Sequence, residues 1–194
     1  MNTPLQNLYP DTVQKLRDEI SKKQDELNTL RRSLPPEDVS DYPLLDWEGK
    51  TVMLSELFNA NGDLVLIHNM GRRCVYCTLW ADGLNGVHQH MADRAGFVVV
   101  SPDEPAVQKE FAESRGWGFR MLSGHGGTFI KDMGFVEGEG DYWPGVSTFK
   151  KGDDGKIQRI GVDIFGPGDP YCSVWHFFEL LKDGAGEWGP KYKY

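Results

Sequence analysis

Cys74 and Cys77 are the residues of this sequence best suited to chemistry, because they stand at C-x-x-C spacing. Two cysteines at that spacing on one helical turn bring their sulfurs close enough to form a disulfide. A thiolate at Cys74 can attack a substrate, and the thiol of Cys77 can then resolve the mixed disulfide. The pattern predicts thiol-disulfide exchange, with Cys74 as the nucleophile and Cys77 as the resolving residue.

The flanking segments place this pair where a buried strand becomes a helix. Residues 63–68 form a nearly unbroken apolar run of strand length, and apolar residues recur at helical spacing over 79–91. A helix N-terminus presents unpaired N–H groups and a partial positive charge, which favour a thiolate at Cys74. Arg72 and Arg73 add fixed positive charge nearby.

Two further residues are candidates for roles beside the pair. Asp82 follows the cysteines within two helical turns, so it could move the proton of the resolving thiol, or pair with Arg72 or Arg73. Cys172 could be a second resolving thiol, although burial as a packing residue is the more common fate of a cysteine.

Zinc binding is the main chemical alternative, since C-x-x-C is also half of a zinc site. A closed zinc site needs four ligands, and the sequence has no second C-x-x-C and no H-x-x-x-H pair. The missing ligands would come from distant residues such as His125, His176 or Cys172; His68 lies six residues before Cys74. A buried cysteine pair without redox function is another alternative. We expect no metal and no other cofactor.

The middle of the chain alternates between strand-like and helical patterns. Strands are expected at 63–68, 97–100 and 119–123, with a helix at 105–114 opened by proline and acidic residues. The order β-α-β-α-β implies parallel strands with helices on both faces of the sheet.

In the second half of the chain, residues 124–143 are rich in glycine and acidic residues and predict a long irregular connection. A connection of this length is typical of a functional loop. An antiparallel hairpin follows, with strands at 145–149 and 156–162 around an Asp-Gly turn. A last helix over 171–182 carries an apolar face, and 183–194 is expected to be loosely held.

A charged amphipathic helix is predicted over 11–34, with Asp11 as its N-cap and Pro35-Pro36 as its end. Its apolar stripe lasts about three heptads with Lys23 in one apolar position, which is the lower limit for a coiled coil. We expect an arm that packs on its own domain or on a partner subunit, so homo-oligomers could form through it. A dedicated partner-binding coil is the alternative.

Composition and charge exclude some classes of binding partner and indicate where the protein is located. The chain has 194 residues and a formal net charge of −8, so it offers no basic surface for nucleic acid or an anionic membrane. No apolar run reaches the length of a membrane span, and the first residues lack the layout of a signal peptide. Three cysteines are too few for a disulfide scaffold. The expected location is cytoplasmic, with a thiol or disulfide protein or small molecule as substrate.

A β-α-β unit joined to a hairpin, with C-x-x-C at the start of the first helix, resembles the thioredoxin-like fold. This resemblance implies that Pro144, just before the hairpin, is a cis proline facing the cysteines. The match is partial because Gly145 intervenes before the strand, and a trans proline in a turn is the alternative.

The sequence also resembles, over about residues 15–162, an uncharacterised bacterial family of thioredoxin-like proteins that carries a domain-of-unknown-function label. The segments that carry this resemblance are 31–35, Cys74 to Gly86, 115–117, 132–135 and 144–147. The similarity ends in Ile164 to Asp169, which departs from the family pattern. The family implies the fold, and only loosely an activity.

The sequence resembles the peroxiredoxins more weakly. They share the fold and place Thr or Ser three residues before the reactive cysteine, with a proline a little earlier. Here Cys74 stands three residues before Cys77, and no proline lies between Asn69 and Arg73. Thioredoxin itself has Trp before its first cysteine and Gly-Pro between the two, where this chain has Val75-Tyr76.

Together these patterns predict an α/β protein: a thioredoxin-like three-layer sandwich with a mixed sheet and an N-terminal helical arm. Its expected parts are the arm at 1–36, the domain at 37–183 and a tail at 184–194. The predicted function is thiol-disulfide oxidoreductase, with Cys74, Cys77, Arg73, Asp82 and Pro144 at the site. A thiol peroxidase and a non-catalytic binding or scaffold module are the alternatives.

Overall fold

The computed structural model describes residues 8–138 and 140–194. The chain divides into two compact units, Met1–Pro35 and Pro36–Tyr194. Among the described residues, no helix is both long enough and apolar enough to cross a membrane.

The described part of the first unit, residues 8–35, contains one helix. The helices of the chain are α1 (Asp11–Ser33), α2 (Val75–Asn85), α3 (His88–Arg94), α4 (Pro105–Arg115), α5 (Phe129–Asp132) and α6 (Ser173–Phe178), with a 3-10 turn at Leu54–Glu56. The strands are β1 (Glu37–Val39), β2 (Pro43–Leu45), β3 (Thr51–Met53), β4 (Asp63–His68), β5 (Gly96–Ser101), β6 (Met121–Ser123), β7 (Val136–Glu137), β8 (Asp141–Tyr142), β9 (Gly145–Lys151) and β10 (Ile157–Ile164).

The predicted arm helix is confirmed as α1, but its N-cap is Pro10, not Asp11. Asp11 is the first helical residue, where its charge still complements the helix dipole. The helix ends before Leu34, whose backbone is extended (ψ 143°) because a proline follows it. No residue of α1 is buried.

One mixed sheet forms the centre of the second unit, with strand order β1-β10-β9-β4-β5-β6-β2-β3. Strands β4, β5 and β6 are parallel, as the β-α-β-α-β order predicts. Strand β9 pairs antiparallel with β4 and with β10, so the predicted hairpin is confirmed and lies against the central strand.

Alternating side chains of the sheet divide the core into two layers. Leu64, Leu66 and Val98 pack on one face with Phe129 of α5. The opposite face buries Trp80 of α2 together with side chains of β4, β5, α4 and α6, namely Ile67, Val99, Ala112 and Trp175. The three-layer α/β arrangement therefore follows from the two-sided burial of β4 and β5.

Two predicted helices are shorter in the structure. The helix after the cysteines breaks at Gly86 and Val87 into α2 and α3, where glycine lowers the helix propensity. The last helix ends at Phe178, and the chain then turns back so that the Trp188 ring packs 4.8 Å from that of Phe178. The apolar face expected for this last helix is incomplete, since Phe177 is 66% exposed.

Candidate active site

Cys74 caps the N-terminus of α2 with its own sulfur. The backbone N–H of Cys77 donates to Cys74 Sγ at 3.0 Å. Cys74 is partly exposed, whereas Cys77 lies one turn further along and is 2% exposed. Both are free thiols. The structure therefore gives the pair an outer and an inner member, as the sequence predicted.

Residues 69–74, which lead into α2, are called the cysteine loop. Hydrogen bonds to the backbone of this loop fix its conformation. Asn69 Oδ1 accepts from the Gly71 N–H at 2.8 Å, and Asp103 Oδ2 accepts from the Arg72 N–H at 2.8 Å. Gly71 has φ +91°, and a Cβ there would lie 2.7 Å from Asp103 Oδ2. Only glycine fits this position without displacing the carboxylate that holds the loop.

The two thiols are chemically unequal. The pKa of Cys74 is lowered to about 7, first by hydrogen bonding from the Cys77 thiol and then by the backbone N–H groups of Cys77 and Tyr76, against the effect of partial burial. The pKa of Cys77 is raised, because its proton is held by the Cys74 thiolate and because it is buried. At neutral pH the Cys74 thiol is thus the more acidic of the two, and the Cys77 thiol keeps its proton.

Cys74 opens into a cleft of about 1030 Å³. The cysteine loop, β8 and the segments after β5 and β10 form its walls. Aromatic side chains are prominent in the lining: Tyr76, Trp80, Tyr142, Trp143 and Phe165. The predicted functional loop over 124–143 thus reaches the site, through the short hairpin of β7 and β8. A cleft of this size accommodates a molecule much larger than a peroxide.

Pro144 and Arg73 both line this cleft with Cys74. The Trp143–Pro144 bond is trans, because the described part of the chain contains no cis peptide bond. Pro144 is therefore the proline of a turn that opens β9. Arg73 is exposed beside Cys74, but the lowered pKa of Cys74 comes from hydrogen bonds of the helix terminus and of Cys77.

Asp82 occupies a different place from the one expected. Its carboxylate accepts from the Arg115 side chain, and from Trp117 Nε1 at 2.8 Å. It lies eight positions after Cys74 in the sequence, which corresponds to about 12 Å along the helix axis. Asp82 therefore does not pair with Arg72 or Arg73 in the structure; it joins α2 to α4.

The residues considered as zinc ligands are dispersed. His68 is 1% exposed, stacks on Phe135 with ring centroids 3.6 Å apart, and shares a hydrogen bond of 2.9 Å with Ser147 Oγ. Cys172 is buried at the start of α6 beside Trp175, and burial raises the pKa of its thiol. Within residues 8–138 and 140–194, no three His, Cys, Asp or Glu side chains are grouped to hold a metal ion.

Two residues at the site carried no sequence signal. Asp103, two residues after the end of β5, accepts from the Arg72 N–H of the cysteine loop. Tyr192, near the C-terminal end of the chain, donates its hydroxyl hydrogen to the Arg72 carbonyl at 3.0 Å. The tail was expected to be loose, yet Trp188 packs on α6 and Pro190 is buried. Local patterns do not reveal such contacts, because Tyr192 and Arg72 lie 120 residues apart.

Several solved structures similar to this chain carry peroxidoxin, peroxiredoxin or Prx names. A peroxidoxin, BcpB, from Mycobacterium tuberculosis is 29% identical with a TM-score of 0.54, and the match covers 66% of this chain and 84% of that one. A peroxiredoxin-like protein from Aquifex aeolicus is 18% identical with a TM-score of 0.53, covering 66% and 74%. Reduced Prx3 from Vibrio vulnificus, in complex with H2O2, is 17% identical with a TM-score of 0.53, covering 70% and 90%.

These likenesses confirm the thioredoxin-like fold. No curated protein matches the sequence. A family model described as "Bacterial protein of unknown function (DUF899)" matches residues 12–194. Since this match spans nearly the whole chain and agrees with the resemblance seen in the sequence, the protein belongs to that bacterial family.

Proposed function

We propose that the protein is a thiol-disulfide oxidoreductase in which Cys74 attacks and Cys77 resolves. The observation that carries the proposal is the inequality of the two thiols. Cys74 has a pKa lowered to about 7 and opens into the cleft, while Cys77 is buried beneath it with a raised pKa. A pair arranged in this way favours an attacking thiolate and a protonated resolving thiol at neutral pH.

The reaction is a two-electron exchange. The Cys74 thiolate attacks one sulfur of a substrate disulfide, forms a mixed disulfide and releases the first substrate thiolate. Cys77 then gives up its proton and attacks Cys74 Sγ, which releases the second substrate thiolate. The enzyme ends with a Cys74–Cys77 disulfide, and the substrate ends with two thiols. The reverse sequence oxidises a substrate dithiol.

A thiol peroxidase is the second candidate, supported by the 29% identity to the Mycobacterium tuberculosis peroxidoxin. In the peroxiredoxin pattern the reactive cysteine would be Cys77, whose sulfur is buried and whose pKa is raised. A peroxidase reaction in this chain would therefore use Cys74. Its thiolate would attack one peroxide oxygen, break the O–O bond and become a sulfenic acid, while the other oxygen leaves as water or an alcohol. The Cys77 thiol would then condense with the sulfenic acid to form the Cys74–Cys77 disulfide and release water.

The substrate class follows from the cleft. Its volume of about 1030 Å³ and its aromatic lining suit the thiol or disulfide of an organic molecule or of a protein segment. We propose a cytoplasmic location, because a reducing compartment would return the Cys74–Cys77 pair to the dithiol form after each exchange.

Equilibration in glutathione buffers of graded potential tests the proposal. We expect a reversible Cys74–Cys77 disulfide with one midpoint, detected by alkylation and mass spectrometry, and Cys172 as a thiol throughout. The metal content of the same sample is measured. Thiols that never pair would contradict the proposal, in favour of zinc if metal is bound and of a binding module if it is not. A disulfide formed rapidly with H2O2 and slowly with oxidised glutathione would favour the peroxidase.

Helix α1 is proposed to pair with α1 of a second copy. Its apolar residues follow a heptad repeat and are 41–60% exposed: Val13, Leu16, Ile20, Leu27, Leu30 and Leu34. An antiparallel pair would place Glu19 near Glu26 of the other helix, whereas a parallel pair places Glu19 opposite Gln24. Charge therefore favours two parallel copies. Lys23 in the seam, bound to Glu26 at 2.8 Å, lowers the stability of such a pair.

Light scattering tests this pairing. We expect a concentration-dependent dimer for the full chain, and a monomer for Ile20→Glu, because a glutamate in the seam loses its hydration without gaining a partner. Lys22→Glu introduces the same residue off the seam and should remain dimeric. A wild-type monomer at all concentrations, or equal dimerisation of the two variants, would exclude the pairing.

A further inference from the structure

The C-terminal segment touches the cysteine loop. The Tyr192 hydroxyl donates to the Arg72 carbonyl at 3.0 Å, two residues before Cys74. The Cys74 N–H in turn donates to the Gly71 carbonyl at 3.1 Å, which closes a turn around Arg72. Tyr192 therefore restrains the peptide that determines where Cys74 Sγ lies over the first turn of α2.

The other side of Tyr192 is anchored on the helices. Arg115 Nη1 donates to the Tyr192 carbonyl at 2.7 Å, and the same guanidinium pairs with Asp82 through two hydrogen bonds. The Tyr192 ring also meets Phe111 of α4 edge to face, with centroids 6.2 Å apart. Asp82, Arg115 and Tyr192 thus form a continuous chain from the middle of α2 back to the loop at its start.

The charge environment agrees with this placement. The pKa of Tyr192 is raised, first by desolvation and then by repulsion from negative charge on the Cys74–Cys77 pair. The hydroxyl is therefore within electrostatic reach of both sulfurs. Because ionisation is disfavoured, Tyr192 keeps its proton and remains a hydrogen-bond donor when Cys74 is a thiolate.

We propose that Tyr192 is a positioning residue of the active site, which the Asp82–Arg115 pair holds in place, and that it keeps the cysteine loop in the conformation in which Cys74 is a reactive thiolate. The inference rests on the proposed role of Cys74 as nucleophile. It gives Asp82 a role that differs from proton transfer, and it makes the C-terminal segment part of the site.

The test is the rate at which Cys74 is alkylated by iodoacetamide as a function of pH, which does not depend on the natural substrate. For Tyr192→Phe we expect a higher midpoint and a rate at pH 7 reduced roughly fivefold, because a freed loop presents the Cys77 N–H to the thiolate less often. Asp82→Asn should shift the profile in the same direction by less, since Tyr192 keeps its bond to Arg72.

Tyr194→Phe is the matched control, since it removes a hydroxyl from the same segment on a side chain that is 85% exposed. It should follow the wild-type profile. Wild-type profiles for Tyr192→Phe, with unfolding temperatures equal among the variants, would overturn the proposal. Because alkylation requires no disulfide, this result separates a failure of the positioning role from a failure of the oxidoreductase function in the glutathione test.

Discussion

Cys74→Ser should abolish disulfide exchange, with a loss of roughly a thousandfold or more, because a serine hydroxyl is not ionised at neutral pH. Exchange by the wild-type protein should speed up as pH rises through about 7 and then level off, since the thiolate is the attacking species and the pKa of Cys74 is lowered to about 7. Stopped-flow mixing with oxidised glutathione, followed by acid quenching and mass spectrometry, measures both effects.

The variant Cys77→Ser tests the second step of the exchange, in which the mixed disulfide is resolved. It should retain the first attack and accumulate the mixed disulfide with glutathione on Cys74, because the resolving thiol is missing. Cys172→Ser is the control, since Cys172 is a buried thiol at the N-cap of α6 and is not among the residues that line the cleft, and it should complete the full cycle. Unchanged exchange by Cys74→Ser, or a glutathione adduct that forms on Cys77, would reverse the assignment of roles.

The local part of the site could be predicted from the sequence. An apolar strand followed by C-x-x-C and a helical pattern is information held within about thirty residues, and β4, α2 and both cysteines lie where that information places them. The unequal acidity of the two thiols was also predictable, because the first cysteine of such a pair meets the free N–H groups of the helix terminus.

The contacts between distant segments could not be predicted. Pairing with Arg72 or Arg73 was one of the roles considered for Asp82 from their closeness in sequence, but Arg115 of the neighbouring helix reaches it instead. Tyr192 gave no signal, since one tyrosine in a polar tail has no periodicity that indicates its partner. The packing of α4 beside α2 determines the first contact, and the packing of the tail, which residues 183–194 alone do not specify, determines the second.

His68 illustrates a limit of another kind. Histidine before a C-x-x-C loop was a candidate zinc ligand by residue type, yet it lies in the apolar layer between Phe129 and Phe135. Burial lowers the pKa of His68 from its usual 6.5 to about 3, with a smaller contribution from the positive charge of Arg159. Its environment, which the sequence does not state, therefore makes it a neutral core residue.

The lowered pKa of His68 predicts acid sensitivity of the fold. The native state keeps His68 neutral, while the unfolded chain takes up a proton below pH 6.5, so the unfolded state binds more protons. The free energy of unfolding should therefore be highest above pH 6.5 and fall as pH drops toward 3. Between pH 7 and pH 5 the expected loss from this residue is about 2 kcal/mol.

Urea unfolding of the wild type and of His68→Phe at pH 7, 6 and 5 measures this effect. The phenylalanine retains a ring that can stack on Phe135 but cannot be protonated, so its free energy of unfolding should change less over this range, although it loses the bond to Ser147. His90→Gln, at an exposed position of α3, should keep the wild-type slope. Parallel curves for the wild type and His68→Phe would mean that His68 is protonated in the native state, and its neutral place in the core would then be wrong.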